Sequence, residues 1–285
     1  PAHRFSSLVP LQPNGDRPPL FLVHGIGGDI LMFKPLIEHF PADQPLYGLQ
    51  ARGLNHETEP DRDIPSMAAH YVELLRAAYP SGPYLVGGVS SGGAGALEIA
   101  QPLTSAGQCV QLVAVIDTSP RSVKPSMSRL SPRFIRRFLG NLPRWLANDL
   151  LKDDFPRVCR RVAARLGSMF GGLFKRKGNG NPTRLNAKRV FGTNNLPDRR
   201  LNFIQTLYSA WRTYQAQPYP GRIALLRARI LPLFCRLSEQ FGWEQIADDV
   251  DVLILPGSHS TVTAADHAPA LASALLTCIE KSRQA

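Results

Sequence analysis

The sequence predicts an α/β protein built on a mainly parallel sheet, and three observations carry that expectation. Short apolar runs (Leu20–Val23, Leu46–Leu49, Tyr84–Gly88, Gln111–Ile116) alternate with stretches of helical apolar spacing, as βαβ units require. The third run ends in Gly88-Val89-Ser90-Ser91-Gly92, a glycine-flanked serine that marks a sharp strand-to-helix turn. The chain has 285 residues, 44% of them hydrophobic. That is enough for one large core, or for a core with a sizeable insertion.

The elements read in order as follows. Pro18-Pro19 precedes the strand Leu20–Val23, and Leu31, Phe33, Leu36, Ile37 and Phe40 follow with helix-like spacing. Leu46–Leu49 is a second strand. Ile64 to Tyr79 is a helix with Met67, Tyr71, Leu74 and Leu75 on one face, closed by Pro80-Ser81-Gly82-Pro83. Tyr84–Gly88 feeds the serine turn, and Gln111–Ile116 ends at Asp117. Ile223–Arg227 and Val252–Leu255 are later strands, and a terminal helix covers about Asp266 to Ile279. From Pro120 to about Gly221 the alternation fails. Helical patterns dominate there (Phe134–Leu150, Val158–Met169, Leu201–Tyr214), interrupted by a Gly/Lys/Asn-rich loop at Gly171–Pro182. The expected division is a core in two parts, residues 1–119 and 221–285, with a helical lid inserted at 120–220.

The net charge of +11 hides an asymmetry. Residues 121–200 hold 20 Lys and Arg against four acids, a surplus of 16, while the rest holds 13 against 18. Such imbalance speaks of partners rather than fold. No recognised nucleic-acid-binding motif accompanies the charge, which argues against that partner. No apolar stretch is long enough to span a membrane, and no basic-then-apolar leader opens the chain. Cys109, Cys159, Cys235 and Cys278 form no C-x-x-C pair, which fits a reducing, cytoplasmic setting and no zinc site. Cys109 and Cys278 lie in apolar contexts and are expected in the core. The start at Pro1 and the lead-in Leu8-Val9-Pro10-Leu11-Gln12-Pro13 suggest a domain cut from a longer chain.

Chemistry concentrates on Ser90. The turn needs small residues two before and two after the nucleophile; Ser90 has Gly88 and Gly92, whereas Ser91 would have Val89. A serine hydroxyl needs a base, and the base a carboxylate that holds its tautomer. In the α/β-hydrolase fold the chain order is serine, acid, histidine. Two histidines follow Ser90. His259 lies just past the last strand, where a loop can swing it over the serine, while His267 falls in the first turn of the terminal helix and reads as a capping or solvent residue. Asp117 directly ends a strand; the later strand at Ile223 meets no acid before Glu239. The expected triad is therefore Ser90, Asp117 and His259. A tetrahedral intermediate needs two N–H donors: that of Ser91, and that of Ile26 in the glycine loop His24-Gly25-Ile26-Gly27-Gly28. His24 precedes the serine and is read as structural. The loop is no dinucleotide fingerprint, since Ile30 stands where the third glycine belongs.

Several of these segments together resemble the thioesterase domains that end nonribosomal peptide synthetases and related polyketide hybrids. They are Leu20-Phe21-Leu22-Val23-His24-Gly25, Leu46-Tyr47-Gly48-Leu49-Gln50-Ala51-Arg52-Gly53, the Ser90 turn, Ile116-Asp117-Thr118-Ser119-Pro120, Tyr219-Pro220-Gly221, Phe241-Gly242-Trp243 and Pro256-Gly257-Ser258-His259. The resemblance covers nearly all of the chain outside roughly 121–210. It implies a helical lid and an acid after the strand that follows the nucleophile strand, in agreement with Asp117. It also implies an acyl or peptidyl substrate delivered as a thioester on the phosphopantetheine arm of a carrier protein, with no cofactor bound directly. Two positions depart from the family: Ser91, where a larger apolar residue is usual, and Ser258, where Asp is usual. A basic insertion at 121–200 would steer an acidic carrier domain toward the site. Related alternatives are a free-standing editing thioesterase and a carboxylester hydrolase on the same fold.

Overall fold

The computed structural model describes residues 5–128, 131–150, 196–232 and 234–284. Seven strands form one sheet in the order β1-β3-β2-β4-β5-β6-β7. They are β1 (Leu8–Gln12), β2 (Leu20–Val23), β3 (Leu46–Leu49), β4 (Tyr84–Val89), β5 (Val110–Ile116), β6 (Tyr219–Ile230) and β7 (Ala247–Ser258). All neighbours run parallel except β1, which pairs antiparallel with β3. The helices are α1 (Ile64–Ala78), α2 (Gly92–Ser105), α3 (Pro132–Leu150), α4 (Asp198–Thr213) and α5 (Ala268–Ser282).

The two-residue period of the strands splits the core into two layers. Phe21, Val23, Val86, Val113, Val115 and Leu225 face α1 and α2. Leu20, Leu22, Leu85, Ala114, Ile116 and Leu226 face α5 and the short helix Leu31–His39. Burial on both sides explains why these strands read as continuous apolar runs. Each fully buried Leu or Phe contributes about 1.5–3 kcal/mol. The start of α1 is set by Asp63, whose carboxylate accepts the Ser66 N–H at 2.7 Å.

One strand was not predicted, and three expectations are corrected. The lead-in around Leu8 is a strand; Pro10 and half-exposed residues mask it in sequence, and it exists because β3 offers a pairing edge. The helix-like stretch at Leu31 is a 3₁₀ helix, with Pro35 inside it unable to donate an α-helical hydrogen bond. β6 and β7 run well past their apolar centres because each pairs with the other over nearly its whole length. Cys109 is exposed, at the start of β5, whereas Cys278 is buried as expected. The patterns at Val158–Met169 and Gly171–Pro182, and Cys159, lie outside the described residues.

The chain goes from β2 outward to β3, then back across β2 to β4 and on to β7. The order therefore reverses between β2 and β4, and loops diverge at their carboxyl ends to open a crevice. The loop after β2 carries Ile26; the turn after β4 carries Ser90.

Candidate active site

Ser90 has φ +55°, in the left-handed region, a conformation costing about 1–3 kcal/mol for a residue with a side chain. Its neighbours hold it there. The Ser90 N–H donates to the Ile116 carbonyl at 3.0 Å, and its own carbonyl accepts the Gly93 N–H at 3.0 Å. A Cβ on Gly88 would lie 2.0 Å from the Gly92 carbonyl oxygen, and one on Gly92 would lie 2.4 Å from the His24 carbonyl oxygen. Both contacts are with backbone, so both positions require glycine. A third tight point adjoins them: a Cβ on Gly93 would meet the Thr118 methyl at 2.4 Å.

Asp117 also lies in the left-handed region, at φ +48°, which Asp tolerates better than most residues. It is buried, and both carboxylate oxygens are used. Oδ1 accepts the Ala228 N–H of β6 at 2.8 Å, and Oδ2 accepts from His259 Nδ1 at 2.9 Å. The Asp117 carbonyl stands 3.0 Å from the same Nδ1. Oδ2 thereby favours the tautomer with the proton on Nδ1 and the lone pair on Nε2. The hydrogen bond that His259 donates to the Asp117 carboxylate raises the His259 pKa above its ordinary value, against the opposing effect of burial.

The structure thus brings Asp117 and His259 into direct contact. Ser90 joins them through the backbone, via Ile116; no Ser90–His259 side-chain hydrogen bond is present among the described residues. His267 turns away, its Nδ1 facing the Thr261 carbonyl at 2.9 Å. The histidine loop is braced by Ser258, whose N–H donates to Thr261 Oγ1 at 2.9 Å. Trp243, fully buried, donates from Nε1 to the Thr118 carbonyl at 2.8 Å and fastens the loop behind Asp117.

His24 is buried and neutral; burial pushes its pKa down to about 4, so its Nδ1–H donates to the Gly25 carbonyl. It shapes the glycine loop, as expected. Ile26 is half-buried in that loop and Ser91 is buried at the start of α2. Among the described residues, neither backbone N–H donates to another protein group. Helix α4 packs on the loop: Phe203 and Leu207 press against Gly28, leaving no room for a side chain there. Arg200 Nη2 donates to the Gly27 carbonyl at 2.8 Å and to Asp29 Oδ2 at 3.1 Å. Arg200 and the Ala228 N–H are not legible in the sequence, and Trp243 appears there only within a family-like segment, because each acts at a distance of many tens of residues. Among the described residues no cluster of side chains is arranged to hold a metal ion.

These features place the chain among known proteins. Residues 18–279 match the family model of the thioesterase domain, and the chain belongs to that family. It is 38% identical over 118 residues to the dimodular nonribosomal peptide synthase of Bacillus subtilis (strain 168), a match that covers 41% of this chain and 5% of that one. Its fold matches the NocB thioesterase domain from the nocardicin cluster, with TM-score 0.65 and 20% identity over 96% of this chain and 99% of the other. It also matches the type II thioesterase BorB of the borrelidin cluster, with TM-score 0.61 and 18% identity over 98% and 100%. The chain is thus a thioesterase-family domain, similar in part of its sequence to a nonribosomal peptide synthase and in fold to these thioesterases.

Proposed function

We propose that this domain releases an acyl or peptidyl chain from the phosphopantetheine arm of a carrier protein through an ester on Ser90. The observation that carries the reading is the strained, glycine-caged Ser90 beside a buried Asp117 bonded to His259 Nδ1. His259 Nε2 takes the Ser90 Oγ proton as Oγ attacks the thioester carbonyl. The Ile26 and Ser91 N–H groups hold the resulting oxyanion. Collapse breaks the C–S bond, and the pantetheine sulfur leaves with the proton from His259. Water, or an amine or hydroxyl of the chain itself, then attacks the ester with His259 again as base. The substrate stands on the carrier arm, so no cofactor of the domain's own enters these steps.

The 120–220 segment acts as a lid in this reading, supported by the seating of α4 on the glycine loop. Its basic residues, 121–200, dock an acidic carrier domain; residues 151–195 of that stretch lie outside the described ones. Among the described residues no helix is long and apolar enough to cross a membrane, and we place the reaction in the cytoplasm with the synthetases.

The test is intact-mass analysis with acyl-pantetheine thioesters and a serine-directed fluorophosphonate. The expected result is one adduct on Ser90, absent from Ser90→Ala, with released product following. Turnover of simple esters with none of acyl-pantetheine would transfer the domain to the carboxylester hydrolases. The likeness to BorB supports a second reading, an editing thioesterase that clears stalled chains. Preference for short acyl groups over peptidyl chains would favour it.

A further inference from the structure

A cavity of about 580 Å³ lies between α3 and the carboxyl end of β6. Two unrelated periodicities line it with one kind of side chain. On α3, Arg133, Arg136, Arg137 and Arg144 fall at helical spacing on one face. On β6, Arg227 and Arg229 fall two apart, and so on one side of the sheet. Gly140 sits in the middle of the helical row, where a Cβ would meet nothing within 4 Å, and its lack of a side chain leaves space. The two elements are pinned together by Asn141, buried, which donates to the Leu231 carbonyl at 2.9 Å and accepts the Leu231 N–H at 3.0 Å. The arginines therefore converge by construction.

Among the described residues, six guanidinium groups share one carboxylate in the lining, Glu239. That carboxylate is 83% exposed and 3.9 Å from Arg137, too far and too wet to neutralise the cluster. Arg227 matters most. Its Nε and Nη1 are buried with no hydrogen-bond partner, while its guanidinium stacks on Phe241, 5.4 Å from the ring centroid. A buried guanidinium with open donors is costly unless something accepts them. An ordinary solvated basic face would put those donors in water. Here they are shut off from solvent, so an anion in the cavity reaches Arg227 through the rest of its guanidinium and offsets the unmet donors by its charge. Burial and the neighbouring Arg137 both press against the charge of Arg227, and a counter-anion relieves both.

We propose that this cavity is a binding site for a small phosphorylated molecule, with a phosphate monoester or pyrophosphate group held by the α3 and β6 arginines. Guanidinium forks match phosphate oxygens two by two, and the volume falls in the range of small-ligand sites. Met127, Leu231 and Ile254 supply an apolar wall for the rest of the molecule. The site does not depend on Ser90 chemistry. Its phosphate has two possible sources, a free phosphorylated molecule or the phosphate of a carrier arm.

The test is calorimetric titration of the whole domain with sodium pyrophosphate and with free pantetheine 4′-phosphate, against sodium chloride at matched ionic strength. Saturable binding is expected. Arg133→Gln/Arg136→Gln, both at exposed positions that leave the fold intact, should weaken it at least about tenfold, and so should Arg227→Gln. Arg62→Gln, exposed elsewhere, should change nothing, and Ser90→Ala should bind like the parent, which separates this site from the hydrolytic reading. Competition by a phosphopantetheinylated carrier but not by its unmodified form assigns the phosphate to the carrier arm; competition by neither assigns it to a free molecule. No binding beyond the chloride control, or equal binding by the double variant, overturns the proposal. So does arginine-dependent binding of the unmodified carrier without any binding of pyrophosphate.

Discussion

Asp117→Asn separates the geometry of the proposed site from its charge. The buried Ala228 N–H needs an acceptor, and leaving it without one costs about 1–3 kcal/mol. The asparagine carbonyl oxygen therefore takes the place of Oδ1, and its NH₂ turns to His259 Nδ1. That forces the imidazole proton onto Nε2, the atom that must accept from Ser90. In a serine protease the same change costs about 10⁴ in kcat. Here the Asp117 backbone carbonyl, 3.0 Å from Nδ1, remains as a second acceptor that keeps part of the productive tautomer. The expected loss is therefore about 10³ in kcat, or about 4 kcal/mol. The pH profile gives an independent check. A protonated His259 cannot act as base, so activity falls as pH drops through its pKa. Asp117 raises that pKa in the parent; the acid limb should therefore lie above the ordinary histidine value and move to lower pH in the variant. Because Asn keeps the Ala228 bond, the melting temperature should hardly change. The assay is release from an acyl-pantetheine thioester across pH, beside thermal unfolding. A loss under tenfold, or an acid limb that stays in place, would refute the assignment of Asp117 as the partner of the base.

Three further outcomes follow from the packing. Gly92→Ala puts a Cβ 2.4 Å from the His24 carbonyl oxygen and 2.5 Å from that of Val23; it should lose about 1–3 kcal/mol in denaturant unfolding, together with fluorophosphonate labelling of Ser90. Arg200→Gln removes the tie from α4 to Gly27 and Asp29. It should lower kcat about five- to thirtyfold, equivalent to about 1–2 kcal/mol, through a displaced glycine loop, and kinetics showing only a raised KM would argue against that role. In the native protein Cys109 should react with a maleimide while Cys278, whose thiol is pushed up to about 11 by burial, should react only after unfolding; peptide mapping reads the difference.

The features that the sequence determined alone are those whose cause is local. The Ser90 turn is legible because its glycines stand two residues to either side of Ser90, and the contacts that forbid larger side chains fall within the same few residues and on the adjoining β2 backbone. Strands buried on both faces announce themselves as apolar runs. The contact between Asp117 and His259 was readable at one remove, from chain order and strand ends. Tertiary structure decided what depends on a distant partner. β1 is a strand only because β3 pairs with it, and β6 and β7 lengthen because they pair with each other. The Ala228 N–H reaches Asp117 across 111 residues, and Arg200 grips a loop more than 170 residues before it. The arginine cavity is the clearest case. A helical row on α3 and an alternate pair on β6 each read as ordinary basic surface; packing, fixed by buried Asn141, turns them to face one another. Sequence spacing sets which side chains share a face of one element, but which faces meet is set by the burial of the apolar surfaces behind them.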